Sequence, residues 1–169
     1  DGLLPALQSG KIDLIIAGMT VTDERKKAVD FSESYYTASQ VIIVPADNAA
    51  IKSFDDLKGK NVGVQIGTTG DTVISEIKEI TNTKYNNGSE AVLALTTQKV
   101  DAVVIDNEPA KNFVAKNTGL KVVDTGAVKE DYAIAIAKGN KELLDKVNTG
   151  LKTLKENGKY DELIAKWFK

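Results

Sequence analysis

Three short stretches of this chain carry side chains that could do chemistry. In Gly18-Met19-Thr20-Val21-Thr22-Asp23-Glu24-Arg25, a glycine lets a ligand approach the backbone and Thr20 offers a hydroxyl. Thr22 is placed to cap a short helix, and Arg25, one turn on, could reach back to the same spot. A guanidinium grips a carboxylate through two parallel hydrogen bonds, which lysine cannot match. Arg25-Lys26-Lys27 reads equally as a solvated basic run. In Val62-Gly63-Val64-Gln65-Ile66-Gly67-Thr68-Thr69-Gly70-Asp71-Thr72, a strand enters a small-residue loop and a helix leaves it. The unpaired N–H groups and positive dipole end of such a helix favour an anion. The Gly-Lys-Ser/Thr ending of a phosphate loop and the Gly-x-Gly-x-x-Gly of a dinucleotide loop are both absent. A carboxylate therefore fits better than a pyrophosphate, and a tight turn that merely needs glycine fits as well. Asp106 follows four apolar residues, so its carboxylate leaves a buried strand end and needs a cation or hydrogen bonds. A ligand ammonium, a neighbouring lysine or a helix-start role before Asn107-Glu108-Pro109 would each serve. Taken together, an arginine and a helix N-terminus for a carboxylate, with an aspartate for an ammonium, describe a receptor for an α-amino-acid zwitterion.

Composition removes most rivals. The 169 residues include no cysteine and no histidine, which excludes a disulfide framework, thiolate metal sites, a thiol nucleophile and the commonest general base. No cofactor and no metal is expected, and only carboxylate chemistry remains for an enzyme. A net charge of −2 gives no footprint for nucleic acid, and no apolar run approaches the ~20 residues of a membrane span. No leader-like segment opens the chain, so any targeting segment is expected to lie outside it.

The elements that must position these residues follow from periodicity. Val41–Pro45, Asn61–Gln65, Asp101–Ile105, Leu120–Val123 and Tyr132–Ala137 read as strands. Thr69–Ile80, Ser89–Thr96, Glu108–Lys116 and Asn140–Asn157 read as helices, with a shorter C-terminal helix carrying Leu163, Ile164 and Trp167. Such alternation predicts an α/β fold with mostly parallel strands. One unit recurs: Leu4-Pro5-Ala6-Leu7 through Ile16 matches Val92-Leu93-Ala94-Leu95 through Val104 at a constant offset, each a helix end, a Lys-apolar-Asp turn and a buried strand. Any helix-to-strand connection can look alike. The preferred reading is two α/β lobes of related topology. Because ligands of open α/β sheets bind beyond the carboxyl ends of strands, Gly18 to Thr20 and Asp106 would then face one cleft.

With these residues in place, the chain resembles the polar amino-acid-binding proteins of bacterial ATP-driven importers, the group of glutamine, histidine and arginine binders. The matching stretches are "DGLLPALQSGKIDLIIAGMTVTDERKKAVDFSESYY", "VGVQIGTTGDT", "KVDAVVIDNEPA" and "LKTLKENGKYDELIAKWFK". The resemblance implies an α/β fold of the two-lobe periplasmic-binding-protein-like type II architecture, closing on its ligand about a hinge. It implies a first lobe of residues 1–45 and 130–169, incomplete because family members begin with a further strand, helix and strand, and a second lobe of residues 46–129. By the same resemblance Gly18, Thr20 and Arg25 bind the ligand α-carboxylate, Thr68 and Thr69 add contacts, Asp106 takes the ammonium and Gln65 varies with specificity. The implied partners are a polar L-amino acid and a membrane permease, with no nucleic acid. The implied location is periplasmic or extracellular, with an anchor in the full-length protein. An incomplete lobe would favour self-association or domain swapping. The rival readings are a sensor module and a carboxylate-dependent dehydratase-like enzyme on the same scaffold, with Glu24 or Glu108 as its acid.

Overall fold

The structure, a computed structural model, describes residues 1–127 and 129–168; Lys169, at the end of the expected first lobe, lies outside them. In chain order the elements are α1 (Leu3–Gln8), β1 (Leu14–Ile15), α2 (Asp23–Ala28), β2 (Val29–Phe31), β3 (Tyr36–Pro45), β4 (Asn61–Gln65), α3 (Thr69–Glu76) and β5 (Thr81–Tyr85). There follow α4 (Gly88–Thr96), β6 (Ala102–Asp106), α5 (Asn107–Lys116), β7 (Leu120–Val123), β8 (Lys129–Tyr132), β9 (Ala135–Ala137), α6 (Lys141–Glu156) and α7 (Lys159–Trp167). Two compact units divide the chain: Asp1–Thr37 with Glu130–Lys169, and Ala38–Lys129.

The Ala38–Lys129 unit is built on a sheet of order β5-β4-β6-β3-β7. β4 pairs in parallel with β5 and with β6, where α3 and α4 supply the crossovers. β3 runs antiparallel to both β6 and β7, so the sheet is mixed where the alternation predicted mostly parallel strands. Its strands β3 and β6 are apolar on both faces. Ile42, Val44, Val62, Val64, Ala102 and Val104 pack with Ile74 of α3 on one side. Val41, Ile43 and Val103 pack with Ala91, Val92 and Leu95 of α4 and Ala110 of α5 on the other. Thr68 starts α3 by accepting the Asp71 N–H, and Asn87 starts α4 by accepting that of Glu90. α3 stops at Glu76, short of the expected Ile80. The chain must turn there to bring Thr81 opposite Asn61 and lay down β5, a strand the periodicity did not predict.

The other unit holds a three-stranded antiparallel sheet of order β1-β9-β2. Its buried cluster is small: Leu7, Ile15, Met19, Val29 and Ala135. The expected strand over Tyr132–Ala137 is two strands, because Tyr132 closes β8 before β9 begins. α6 occupies the predicted span with Asn140 as its N-cap and Asn157 as its C-cap, yet neither α6 nor α7 fully buries a residue.

The internal repeat is structural, and each unit holds one copy. After α1 the Lys11 N–H reaches the Ala6 carbonyl (3.0 Å), and after α4 the Lys99 N–H reaches the Ala94 carbonyl (2.8 Å). Between them Gly10 and Gln98 both adopt positive φ (69° and 58°), the left-handed residue that ends a helix with a bond back across the turn. Leu7 and Leu95, equivalent in the repeat, are both buried.

Candidate functional site

In the unit of Asp1–Thr37 and Glu130–Lys169, residues 19–21 lie against 131–133 as an antiparallel bridge. The Val21 N–H donates to the Asp131 carbonyl and the Ala133 N–H to that of Met19, which sets Thr20 opposite Tyr132. Two residues along from Tyr132, on the same face, comes Glu130; diagonal neighbours of this kind are within side-chain reach. The buried Thr20 hydroxyl donates to Glu130 Oε2 at 2.7 Å. Gly18 has φ +59°, and a Cβ there would meet the Tyr132 ring at 3.2 Å, so the position takes only glycine without strain. Its N–H donates to the Tyr35 hydroxyl at 3.1 Å. Burial pushes that hydroxyl above the ordinary tyrosine range, with the Gly18 bond opposing.

Arg25 belongs to this cluster and not to the basic run. Thr22 caps α2 by accepting the Arg25 N–H, and from that first turn the guanidinium Nη1 reaches back to the Thr20 carbonyl at 2.7 Å. Lys26 and Lys27 stay exposed and pair with Asp23 and Glu24 on the surface of α2. The structure therefore separates the three cations: two are solvated, and one turns onto the backbone of Thr20.

In the Ala38–Lys129 unit, Gln65 ends β4, Thr68 caps α3, Thr69 opens it and Asp106 ends β6. Both functions of the Thr68 hydroxyl serve the loop, since it donates to the Gln65 carbonyl (2.8 Å) and accepts the Asp71 N–H (3.3 Å). Asp71 Oδ2 takes the Gly67 N–H (3.1 Å), while Oδ1 meets Lys84 (2.9 Å), Asn82 (2.9 Å) and Ser75 (3.1 Å). Burial alone would raise the Asp71 carboxyl, but Lys84, Gly67, Asn82 and Ser75 together hold it below its ordinary value. Asp106 stands at the N-cap position of α5 without a side-chain capping bond. Its Oδ1 instead accepts from Gln40 Nε2 at 2.5 Å, and the same nitrogen donates to the Thr69 hydroxyl at 3.0 Å.

Of the seven residues named from the sequence, Gly18, Thr20 and Arg25 are gathered in one unit, and Gln65, Thr68, Thr69 and Asp106 in the other. Residue types and spacing did not name Gln40, Asp71, Glu130, Tyr35 or Tyr132. Gln40 had a visible mark, a lone amide inside the run Ala38 to Val44. Glu130 had none, because its meeting with Thr20 depends on pairing across more than a hundred residues. Among the described residues no group of histidine, cysteine, aspartate and glutamate could hold a metal ion, and no helix is long and apolar enough to cross a membrane.

Comparison with known proteins gives a consistent picture. The family model for bacterial extracellular solute-binding proteins, family 3, matches residues 1–169. A probable histidine-binding protein of Campylobacter jejuni is 38% identical over 99% of this chain and 66% of its own length. The arginine-binding extracellular protein ArtP of Bacillus subtilis is 38% identical over 99% of this chain and 68% of its own. The chain thus spans about two thirds of the length of these relatives. Among solved structures, an ancestral arginine-binding protein bound to arginine superposes with a TM-score of 0.96 at 48% identity, covering 100% of this chain and 77% of that one. The ancestral amino acid-binding protein AncCDT-1, described as a precursor of cyclohexadienyl dehydratase, superposes with a TM-score of 0.93 at 45% identity, covering 100% and 75%.

Proposed function

The chain belongs to the bacterial extracellular solute-binding proteins, family 3, and on that premise we propose that it carries the zwitterion-reading residues of an amino-acid trap that serves an ATP-driven importer. Arg25, the Thr20 hydroxyl and Gly18 take the ligand α-carboxylate. Asp106 takes the ammonium of the same ligand. Thr69 adds a hydroxyl at the start of α3, Thr68 contributes by shaping the loop, and Gln65 lies where selectivity would vary. One observation supports this reading most. The Thr20 hydroxyl already donates to a carboxylate, that of Glu130, beside the carbonyl that anchors Arg25. A carboxylate oxygen is therefore accommodated at the place assigned to the ligand's, and Glu130 is the group the ligand would displace.

Binding a polar L-amino acid such as arginine, histidine or glutamine is in keeping with the relatives. A micromolar dissociation constant corresponds to about −8 kcal/mol, within reach of a few charge-assisted hydrogen bonds in a dry site. The partner is a membrane permease, and the protein works on the periplasmic or extracellular side, anchored in its full-length form. The enzyme reading draws on the dehydratase precursor among the structural neighbours. The acids it would need are otherwise engaged: Glu24 is exposed and paired with Lys27, and Glu108 is paired with Lys111 at 2.7 Å. Self-association is proposed as well. Leu163 and Trp167 are 41% and 66% exposed, and Leu3 and Ile16 are exposed on the same unit. Sedimentation across a concentration series tests it, a single monomeric species at all concentrations being the contrary result.

The deciding experiment is calorimetry of L-arginine, L-histidine and L-glutamine against the wild type and Arg25→Ala. The variant is expected to lose about 2–5 kcal/mol, the cost of leaving a buried carboxylate without its partner. Unchanged affinity would remove Arg25 from the site.

A further inference from the structure

We propose that Gln40 is the positioning residue of the ammonium pole: it sets the plane and charge of the Asp106 carboxylate and ties it to Thr69. The inference rests on the reading of Asp106 given above and deepens it. Gln40 lies in β3 directly opposite Asp106 in the antiparallel register, so their side chains leave the sheet on one face. The side chain is 3% exposed. Its Nε2 donates to Asp106 Oδ1 (2.5 Å) and to the Thr69 hydroxyl (3.0 Å). An ionised carboxylate only accepts hydrogen bonds, so chemistry fixes which end of the amide faces Asp106. One amide thus joins the end of β6 to the first residue of α3.

The surroundings are shaped to hold that amide. A Cβ on Gly70 would come within 2.9 Å of Gln40 Oε1 and 3.3 Å of the Val104 carbonyl. Glycine at 70 therefore leaves the room that the glutamine occupies. The nearby ends of α3 and α5 carry two further carboxylates, each with its own cation: Asp71 with Lys84 and Glu108 with Lys111. Gln40 gives Asp106 a neutral donor. Such a bond favours the charged form of the acid and fixes its rotamer without cancelling its charge. A site that must attract an ammonium needs this combination, because a lysine in the same place would neutralise the carboxylate. Holding the rotamer before the ligand arrives also lowers the ordering cost of binding.

The test uses the whole chain as wild type, Gln40→Leu and Gly70→Ala. Carboxyl-carbon NMR follows the titration of Asp106, with Asp30 of β2 as internal reference. Asp106 is expected to titrate at higher pH in both variants while Asp30 stays in place. Calorimetry with L-arginine then compares Gln40→Leu in the wild-type and Asp106→Asn backgrounds. A weakening of about tenfold to a hundredfold is expected in the first, the usual worth of a hydrogen bond to a charged group, and less than about threefold in the second. An unmoved Asp106 titration, or an equal loss in both backgrounds, would overturn the proposal. If Gln40→Leu fails to fold, Gly70→Ala decides the titration by itself. If Asp106→Asn binds L-arginine as tightly as wild type, the assigned ligand role fails, while the titration still decides whether Gln40 governs Asp106.

Discussion

The two units place their candidate ligand residues by different means. In the Ala38–Lys129 unit the sheet is covered on both faces, and Asp106, Gln65 and Thr69 sit at the ends of elements that contribute buried residues to its core. In the other unit the buried cluster is small, and Gly18, Thr20 and Arg25 are held by a backbone bridge, a helix cap, the buried Tyr132 and the partly buried Tyr35. Positioning by a core is rigid because interiors are close-packed. Positioning by hydrogen bonds between chain segments is easier to open, since local stability follows buried apolar contact. The pole proposed for the ammonium is thus the stiff one, and the pole proposed for the carboxylate is the yielding one.

The largest effect that would break this contrast is a core truncation. Ile42, fully buried in β3, should cost about 2–5 kcal/mol as Ile42→Ala. Leu151→Ala, on the half-buried stripe of α6, should cost less than about 1 kcal/mol. Chemical denaturation measures both. Equal costs would erase the distinction between the units. Hydrogen exchange sharpens it: amides of β4 and β6 should outlast those of β1 and β9, and the reverse order would refute the assignment of stiffness.

Next in size is Asp71, the buried acid that ties the loop at Gly67 to β5 through Asn82 and Lys84. Asp71→Asn should destabilise the protein by about 1.5–3 kcal/mol, the range for hydrogen bonds to a charged group. Because its folded pKa lies below the ordinary 3.8, its contribution is complete above that value and is lost as pH falls through the lower folded pKa. The variant should therefore approach the wild type in stability as pH falls below 3.8 and through the lower folded pKa, and a gap that persists unchanged through the whole acid limb would show that the charge is not the cause.

Thr22 and Thr68 supply a comparison of equal chemistry in unequal settings. Each caps a helix, of six and eight residues respectively, and truncation of such a cap to alanine costs about 1 kcal/mol. Thr68→Ala should reach that value because the hydroxyl also holds the Gln65 carbonyl. Thr22→Ala should cost less stability, yet it should weaken amino-acid binding, since the cap sets the turn from which Arg25 reaches back. Calorimetry that finds affinity unchanged would detach the cap from the site.

How far this was legible beforehand can be followed residue by residue. The repeat, α6 with its asparagine caps and the strand at Leu120–Val123 came from spacing alone, and the zwitterion reading, also from spacing, stands as the proposal made above. β5 did not, because Asn82 and Lys84 dilute its β-branched residues, and the strand exists by pairing with β4. The antiparallel course of β3 escaped for a related reason: pairing partners, unlike periodicity, are not written locally. Gln40 was passed over because the apolar strand was read from Val41, one residue too late. Asp106 was open between capping and ligand roles; its side chain makes no capping bond and accepts from Gln40 instead, and the ligand role is the part that calorimetry must test.

The smallest effect tests whether surface-like pairing matters at the yielding pole. Asp30 in β2 accepts from Lys138 (2.7 Å) and from the Gly139 N–H (2.7 Å), stitching β2 to the residues after β9. The Lys138 bond first, and the Gly139 bond after it, hold its carboxyl below the ordinary 3.8. Its stabilisation is accordingly present above that pH and fades as acid protonates the folded form, the same direction as for Asp71. The size differs because Lys138 is half exposed and water screens the pair; such bridges contribute about 0–1 kcal/mol. Asp30→Asn should therefore shift stability by no more than that, and the shift should shrink as salt rises to 1 M, where the Debye length is about 3 Å. The Asp71→Asn gap should change little over the same salt series, since its carboxylate is buried among fixed donors. A salt-insensitive Asp30 or a salt-sensitive Asp71 would mean that solvent reaches the two units alike, and the difference in how they hold their residues would then have to lie in the backbone and not in burial.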